Sequence, residues 1–265
     1  MMQTRRGILA VIGLALLLGA PRPANTAGLG LEVTPGKLEI SVPSGATYNI
    51  PITVHNSSFS PVHVQASMVD FNVGIDGAYQ FQKVGTRSNS LMKYAAIRPR
   101  EFDVGPGESQ QVQLTVQLPQ APNLAGEYAG IVFFQTRPPR AKGLALAFSV
   151  RVASKIYETI PGTVKLDGAI AKMTAAASPR GETYRVVFKN NGNTHLYLRG
   201  QLTVQKGGAV VDQLPIATGE LVERGGERLL EAVGKRLDPG SYQAIATIDY
   251  GGKTETGGEI AFDVR

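Results

Sequence analysis

Between Leu144 and Ile160 the chain reads LALAFSVRVASKIYETI, and this alternation limits the fold more than any other stretch. From Leu144 to Ile156 the even positions Leu144, Leu146, Phe148, Val150, Val152 and Ile156 are apolar, with Ser154 the one break. The odd positions Ala145, Ala147, Ser149, Arg151, Ala153 and Lys155 are small, polar or basic until Tyr157. Successive side chains leave opposite faces of a pleated ribbon, so a period of two specifies a strand; a helix would scatter the same residues around its circumference. At ~3.3 Å per residue this strand spans roughly 55 Å, well beyond the usual ~5–6 residues. Pro161-Gly162 stops it, and a second all-β pattern begins. The strand is therefore expected to close a first domain and to carry Lys155 to its junction with a second.

The remaining chain repeats this grammar in shorter words. Leu38, Ile40 and Val42 alternate before Pro43-Ser44-Gly45, and Tyr48, Ile50, Ile52 and Val54 alternate before His55-Asn56-Ser57-Ser58. Val62 to Met68, Val112 to Leu118 and YAGIVFFQT follow, the last apolar on both faces and so expected at the centre of a sheet. Beyond Pro161, strands are read over Val164 to Met173, Tyr184 to Phe188, Leu196 to Val204, Ala209 to Leu214, Arg228 to Val233, Tyr242 to Ile248 and the closing run to Val264. The one helix-like stretch, Leu221–Lys235, holds Gly225-Gly226 and Gly234, which weaken a helix by about 1 kcal/mol each. Short strands at this spacing, with Gly, Pro and Asn between them, indicate an all-β chain of two immunoglobulin-like β-sandwich domains in tandem, over 28–161 and 162–265. Neither cysteine nor tryptophan occurs, so both cores are expected to hold without disulfides.

Residues 1–27 are read apart from the fold. Arg5 and Arg6, an apolar run from Gly7 to Ala20 and a small-residue segment have the layout of a secretory signal peptide cleaved after Ala27. The apolar run is shorter than the ~20 residues a membrane-spanning helix needs. The leader takes three of the 27 basic residues and no acid, leaving 24 against 21, so the basic balance of the whole chain is no argument for nucleic-acid binding. Export is expected.

Chemistry for catalysis is sparse. There is no G-x-S-x-G elbow, phosphate loop or dinucleotide fingerprint. The three histidines are His55, His63 and His195; the first two flank one turn, and no acidic pair beside them in sequence completes a metal set. Asp70, Asp76, Glu101 and Asp103 are expected in solvated loops. A non-enzymatic protein without cofactor or metal is the reading.

Several segments resemble, in order and spacing, the amino-terminal domain of the periplasmic pilus chaperones of the chaperone–usher pathway. They are LEVTPGKLEISVPSG, VHNSS with Pro61 beyond it, IRPREFDVGPGESQQVQLTV, GEYAGIVFF and SKIYETIP, together covering roughly residues 30–161. NNGNTHLYLRG and LDPGSYQAIATIDYGG suggest the immunoglobulin-like second domain. The resemblance implies the periplasm as the destination of export, and a protein that lends the last strand of its first domain to an incomplete pilin-like or surface-fibre subunit, with an outer-membrane usher as a further partner. It implies Leu146, Phe148, Val150 and Val152 as the donor face and Lys155 as the anchor for the subunit's terminal carboxylate. The family's second anchor, an arginine in the first strand, falls near Pro35, where only Lys37 stands close.

An exposed sheet edge offers unpaired N–H and C=O groups to a second chain, while alternate side chains supply specificity. Each apolar donor residue buried in a partner groove contributes ~1.5–3 kcal/mol before ordering costs. The same edge offers a route to self-association. The same alternation also fits a core strand facing its own sandwich, and Lys155 also fits a solvated lysine between domains. A second function stays open: a structural or adhesive cell-envelope protein binding a cell-wall polymer or a surface protein.

Overall fold

A computed structural model describes residues 30–137 and 148–265. The described residues form seventeen strands, numbered here in chain order, and one short 3-10 turn at Met92–Tyr94. Four of the strands, β1 (Leu31–Thr34), β3 (Thr47–Asn56), β8 (Ser109–Gln117) and β6 (Ala95–Arg98), make one sheet in that order. A second sheet runs β2 (Lys37–Ser41), β10 (Arg151–Thr159), β9 (Glu127–Thr136), β4 (Val62–Val73) and β5 (Tyr79–Gln82), with β7 (Glu101–Val104) also paired to β4. The first strand of the sequence is thus shared: it changes sheets at Pro35-Gly36 between β1 and β2. That sheet order is immunoglobulin-like.

The carboxyl-terminal half builds a second sandwich. One sheet orders β11 (Gly168–Ser178), β12 (Gly181–Asn190) and β15 (Glu227–Val233). The other orders β14 (Ala209–Val222), β13 (Leu196–Lys206), β16 (Gly240–Asp249) and β17 (Thr256–Val264). No sheet draws strands from both sides of residues 160–167 among the described residues.

Alternation accounts for both cores. Ile50, Ile52 and Val54 of β3 meet Val112, Leu114 and Val116 of β8 and Tyr128, Val132 and Phe134 of β9 in the first. Tyr184, Val186 and Phe188 of β12 meet Leu198, Leu202 and Val204 of β13 and Ala244, Ala246 and Ile248 of β16 in the second. The strand expected to be central, β9, lies between β10 and β4. It is apolar on both faces because it serves two clusters: Ala129, Ile131 and Phe133 point away from the first core into a separate one with Phe71 and Tyr157.

Each sandwich closes the turn after its second long strand with a buried asparagine. The Asn56 amide donates to the carbonyls of Ser60, Val104 and Gly105 at 2.8–3.1 Å, and its oxygen accepts from the Ser58 N–H at 3.0 Å. The Asn190 amide donates to Thr194, Val222 and Glu223 carbonyls at 2.8–3.3 Å, and its oxygen accepts from the Gly192 N–H at 2.9 Å. Buried carbonyls need donors, and each of these amides lies within reach of three, sharing Gly105 with the Glu108 N–H and Glu223 with the Gly226 N–H.

Several expectations are corrected. The long strand read over Leu144–Ile160 begins at Arg151; Phe148–Val150 lie before it, and Leu144–Ala147 fall outside the described residues. Regular pairing lasts only as long as the neighbouring strand, and β9 ends at Thr136, whose N–H meets the Val150 carbonyl at 2.9 Å. The strand expected from Val164 starts at Gly168, because Lys165 is engaged by Asn193 through its N–H at 2.7 Å and its carbonyl at 3.1 Å. Asp70 is no loop acid: it is fully buried on β4, accepting from the Ser90 hydroxyl at 2.6 Å and the Arg87 N–H at 3.0 Å. His63 does have acids beside it, Asp103 at 2.8 Å and Glu101 at 3.5 Å, brought by the pairing of β7 with β4. Among the described residues no cluster has the geometry to hold a metal ion. None of the described helices is long and apolar enough to cross a membrane.

Candidate functional site

The segment singled out by the sequence supplies the geometry. β10 pairs with β9 from Arg151 to Thr159, but with β2 only from Lys155 to Thr159. In an antiparallel ladder, residues alternate between bonding the partner and facing away from it. The Val150 carbonyl faces β9 (it accepts from the Thr136 N–H), and the Lys155 N–H faces the other side, donating to the Gly36 carbonyl at 2.9 Å. By that alternation the backbone groups of Arg151 and Ala153 point away from β9, and no strand among the described residues pairs with them. A short open edge therefore precedes Lys155.

The predicted donor residues occupy this stretch unevenly. Phe148 is 58% exposed. Val150 and Val152 are half-buried against the first core, so the even face is divided between solvent and the protein's own sandwich. Leu146 lies outside the described residues.

Lys155 and Lys37 are brought side by side, since they are direct partners in the β10–β2 register. Their surroundings differ. The Lys37 ammonium is paired with Glu39 at 2.8 Å and donates to the Tyr197 hydroxyl at 2.5 Å. These hydrogen bonds hold its proton well above the ordinary lysine range. Burial pushes the Glu39 carboxyl up, but the bonds from Lys37 and Tyr197 outweigh it and bring the group below its usual value.

Lys155 has no carboxylate within 4 Å among the described residues. Its ammonium donates to the Tyr79 hydroxyl at 2.6 Å, at the edge of that ring, and lies 5.1 and 6.0 Å from the ring centroids of Tyr157 and Phe71. An ammonium over ring faces is attracted to them, but it keeps its formal charge and its capacity for an anion.

Below Lys155 the two halves meet through groups that sequence spacing gave no means of pairing. Tyr157 donates to Glu223 at 2.5 Å, both buried, and packs at a tilt against His195 with ring centroids 4.4 Å apart. Burial raises the Tyr157 hydroxyl far above its ordinary value, with Glu223 adding to the effect; burial also raises the Glu223 carboxyl, against the Tyr157 hydrogen bond. Glu127, fully buried, accepts from Thr194 at 2.9 Å and is paired with His195. The Glu127 N–H reaches the Asn193 carbonyl at 2.8 Å, and the Arg224 guanidinium reaches the Glu127 carbonyl at 3.0 Å. Among the described residues Glu39, Glu127 and Glu223 each have other hydrogen-bond partners, and none of them forms an ion pair with Lys155.

The fold defined by these sheets is a pair of immunoglobulin-like sandwiches meeting at a polar junction. No protein-family model matches the chain, and no curated protein matches it. Among solved structures, the chain is similar to the class 5 fimbriae chaperone CfaA, at 10% identity and a TM-score of 0.49, covering 89% of this chain and 99% of that one. It is also similar to the E. coli chaperone DraB (16% identity, TM-score 0.45, coverage 89% and 96%). A third is a Salmonella enterica structure of the SafA pilin in complex with the SafB chaperone (15% identity, TM-score 0.44, coverage 89% and 97%).

Proposed function

We propose that this protein is a periplasmic, non-enzymatic chaperone that binds immature pilus or surface-fibre subunits by lending them the edge of β10. Residues 28–161 form the lending domain and residues 162–265 the second domain, with 1–27 removed on export. The observation that carries this reading is the edge at Arg151 and Ala153, unpaired among the described residues and ending at a lysine that has no carboxylate within 4 Å among them. A subunit strand adding to that edge gains main-chain hydrogen bonds. Leu146, Phe148, Val150 and Val152 supply the apolar donor face, and Phe148 is available without disturbing the fold. Lys155 sets the register by pairing with the subunit's terminal carboxylate; Lys37, expected as its helper, stands beside it by register but is held by Glu39 and Tyr197. The usher is a later partner, and the same edge serves self-association in the idle protein.

The test is Phe148→Asp. A charge on the donor face should abolish subunit binding while the circular-dichroism spectrum and thermal midpoint stay as in the parent. Unfolding of that variant would assign Phe148 to the core and sink the donor role.

A further inference from the structure

We propose that Tyr79 of the β4–β5 hairpin is the second hydrogen-bond donor to the partner's terminal carboxylate, in the place that Lys37 cannot fill. The proposal rests on reading Lys155 as the carboxylate anchor. Lys37 is the neighbour by register, but its ammonium is already spent: Glu39 holds it at 2.8 Å and the Tyr197 hydroxyl accepts from it at 2.5 Å. A carboxylate approaching Lys37 would have to displace Glu39 and would meet its negative charge.

Tyr79 has the opposite character. Its hydroxyl oxygen accepts from the Lys155 ammonium at 2.6 Å, and its own O–H donates to no acceptor among the described residues. A phenol can accept and donate at once, and accepting from an ammonium polarises it into a stronger donor. A carboxylate at this point meets an N–H of Lys155 with one oxygen and the phenol O–H with the other.

The hydroxyl is also held in place. Tyr79 pairs with Val73 across the hairpin, and its ring lies 5.6 Å from that of Phe71 and 6.2 Å from that of Phe81. The hairpin tip is tied to the carboxyl-terminal half, where the Leu229 N–H donates to the Ile75 carbonyl at 2.8 Å. Tyr79 remains 42% exposed, so a partner can reach it. Beyond it, Phe81 stands edge-on to Phe133 at 4.9 Å, and Arg151 lies over Phe133 at 5.1 Å. The ligand this surface fits is an extended chain end with a free carboxylate and apolar final residues.

The probe is a synthetic hexapeptide of alternating threonine and valine ending in phenylalanine, made as the free acid and as the carboxyl-terminal amide. Both are titrated into the mature chain and into Tyr79→Phe, Lys37→Ala and Lys155→Ala variants, each first checked for a parental thermal midpoint. Hydrogen bonds to charged groups set the scale, so the free acid should bind the parent at least about tenfold more tightly than the amide. Tyr79→Phe, which keeps the ring, should remove most of that preference, and Lys37→Ala should leave it within about twofold. A preference that survives Tyr79→Phe but falls in Lys155→Ala overturns the Tyr79 assignment and leaves the anchor reading intact. A preference lost in Lys37→Ala and kept in Tyr79→Phe returns the role to Lys37. Equal binding of acid and amide by the parent, or no binding of either, overturns the anchor reading and the proposal together.

Discussion

Glu158 makes the stability of the first sandwich depend on pH in a direction opposite to that of an ordinary paired carboxylate. It lies near the end of β10, fully buried, with one carboxyl oxygen lacking any hydrogen-bond partner among the described residues and the other accepting from Tyr48. Burial pushes this carboxyl from 4.5 up to about 7, against the Tyr48 hydrogen bond, which pulls it down. The folded state therefore binds the proton more tightly than the unfolded chain does. Stability from that proton is complete below about pH 4.5 and is lost as the pH rises through about 7. At ~1.36 kcal/mol per pH unit, the gap amounts to about 3 kcal/mol. Glu158→Gln keeps the size and has no proton to lose. Urea unfolding of both chains at pH 4.5, 6 and 8 is the assay. The stability of the glutamine variant relative to the parent should improve by about 3 kcal/mol between pH 4.5 and 8, and subtraction removes every titration the two chains share. Parallel pH profiles would refute the argument, because they would mean that Glu158 is charged in the folded state at little cost.

Asn190→Ala should destabilise the second sandwich by ~1–3 kcal/mol in urea unfolding, since the Thr194 and Val222 carbonyls lose the buried amide while Glu223 keeps the Gly226 N–H. Asn56→Ala should do the same to the first, which makes the two corners equivalent by measurement as well as by geometry. Tyr157→Phe should cost ~1.5–3 kcal/mol at the junction by leaving the buried Glu223 carboxyl without its phenol, read as increased amide exchange at Glu223 and His195. Gly126→Ala should loosen the same junction, because Gly126 holds a φ of +72° and an added Cβ would overlap the Asn193 carbonyl; differential scanning calorimetry should show a lower midpoint.

Period-two alternation was enough to read the class of the fold. Ile50, Ile52 and Val54 or Ala244, Ala246 and Ile248 have one sensible burial face each, and the doubly apolar YAGIVFFQT has room only at a sheet centre. The alternation of residues 144–160 was legible too, but not its end. Nothing local says that β9 runs out at Thr136 and takes the ladder with it. Asp70 shows a second limit: a polar residue in an irregular stretch looks solvated until Ser90 and Arg87, 20 and 17 positions away, fold back to satisfy it.

The site was legible where it follows strand parity and hidden where it depends on distant contacts. Lys155 could be placed near a junction because Pro161-Gly162 ends its strand. That Lys37 stands opposite it, yet is occupied by Glu39, depends on a parallel pairing over 118 positions. Tyr79 gave no signal as a site residue, and it meets Lys155 only through the hairpin that lays it beside Phe71. The one available sign was compositional: Tyr79 and Phe81 are aromatic residues two apart in a stretch otherwise poor in apolar side chains.

The most direct measurement is amide hydrogen exchange on residues 28–265, free and in a one-to-one complex with the fibre subunit that the proposed strand lending requires. Lending of the β10 edge predicts slowed exchange at Arg151 and Ala153, whose backbone groups face away from β9, extending back to Phe148 and lost in Phe148→Asp. Protection confined to the second sandwich, with Arg151 and Ala153 exchanging as fast in the complex as in the free chain, would contradict strand lending and favour a different binding surface.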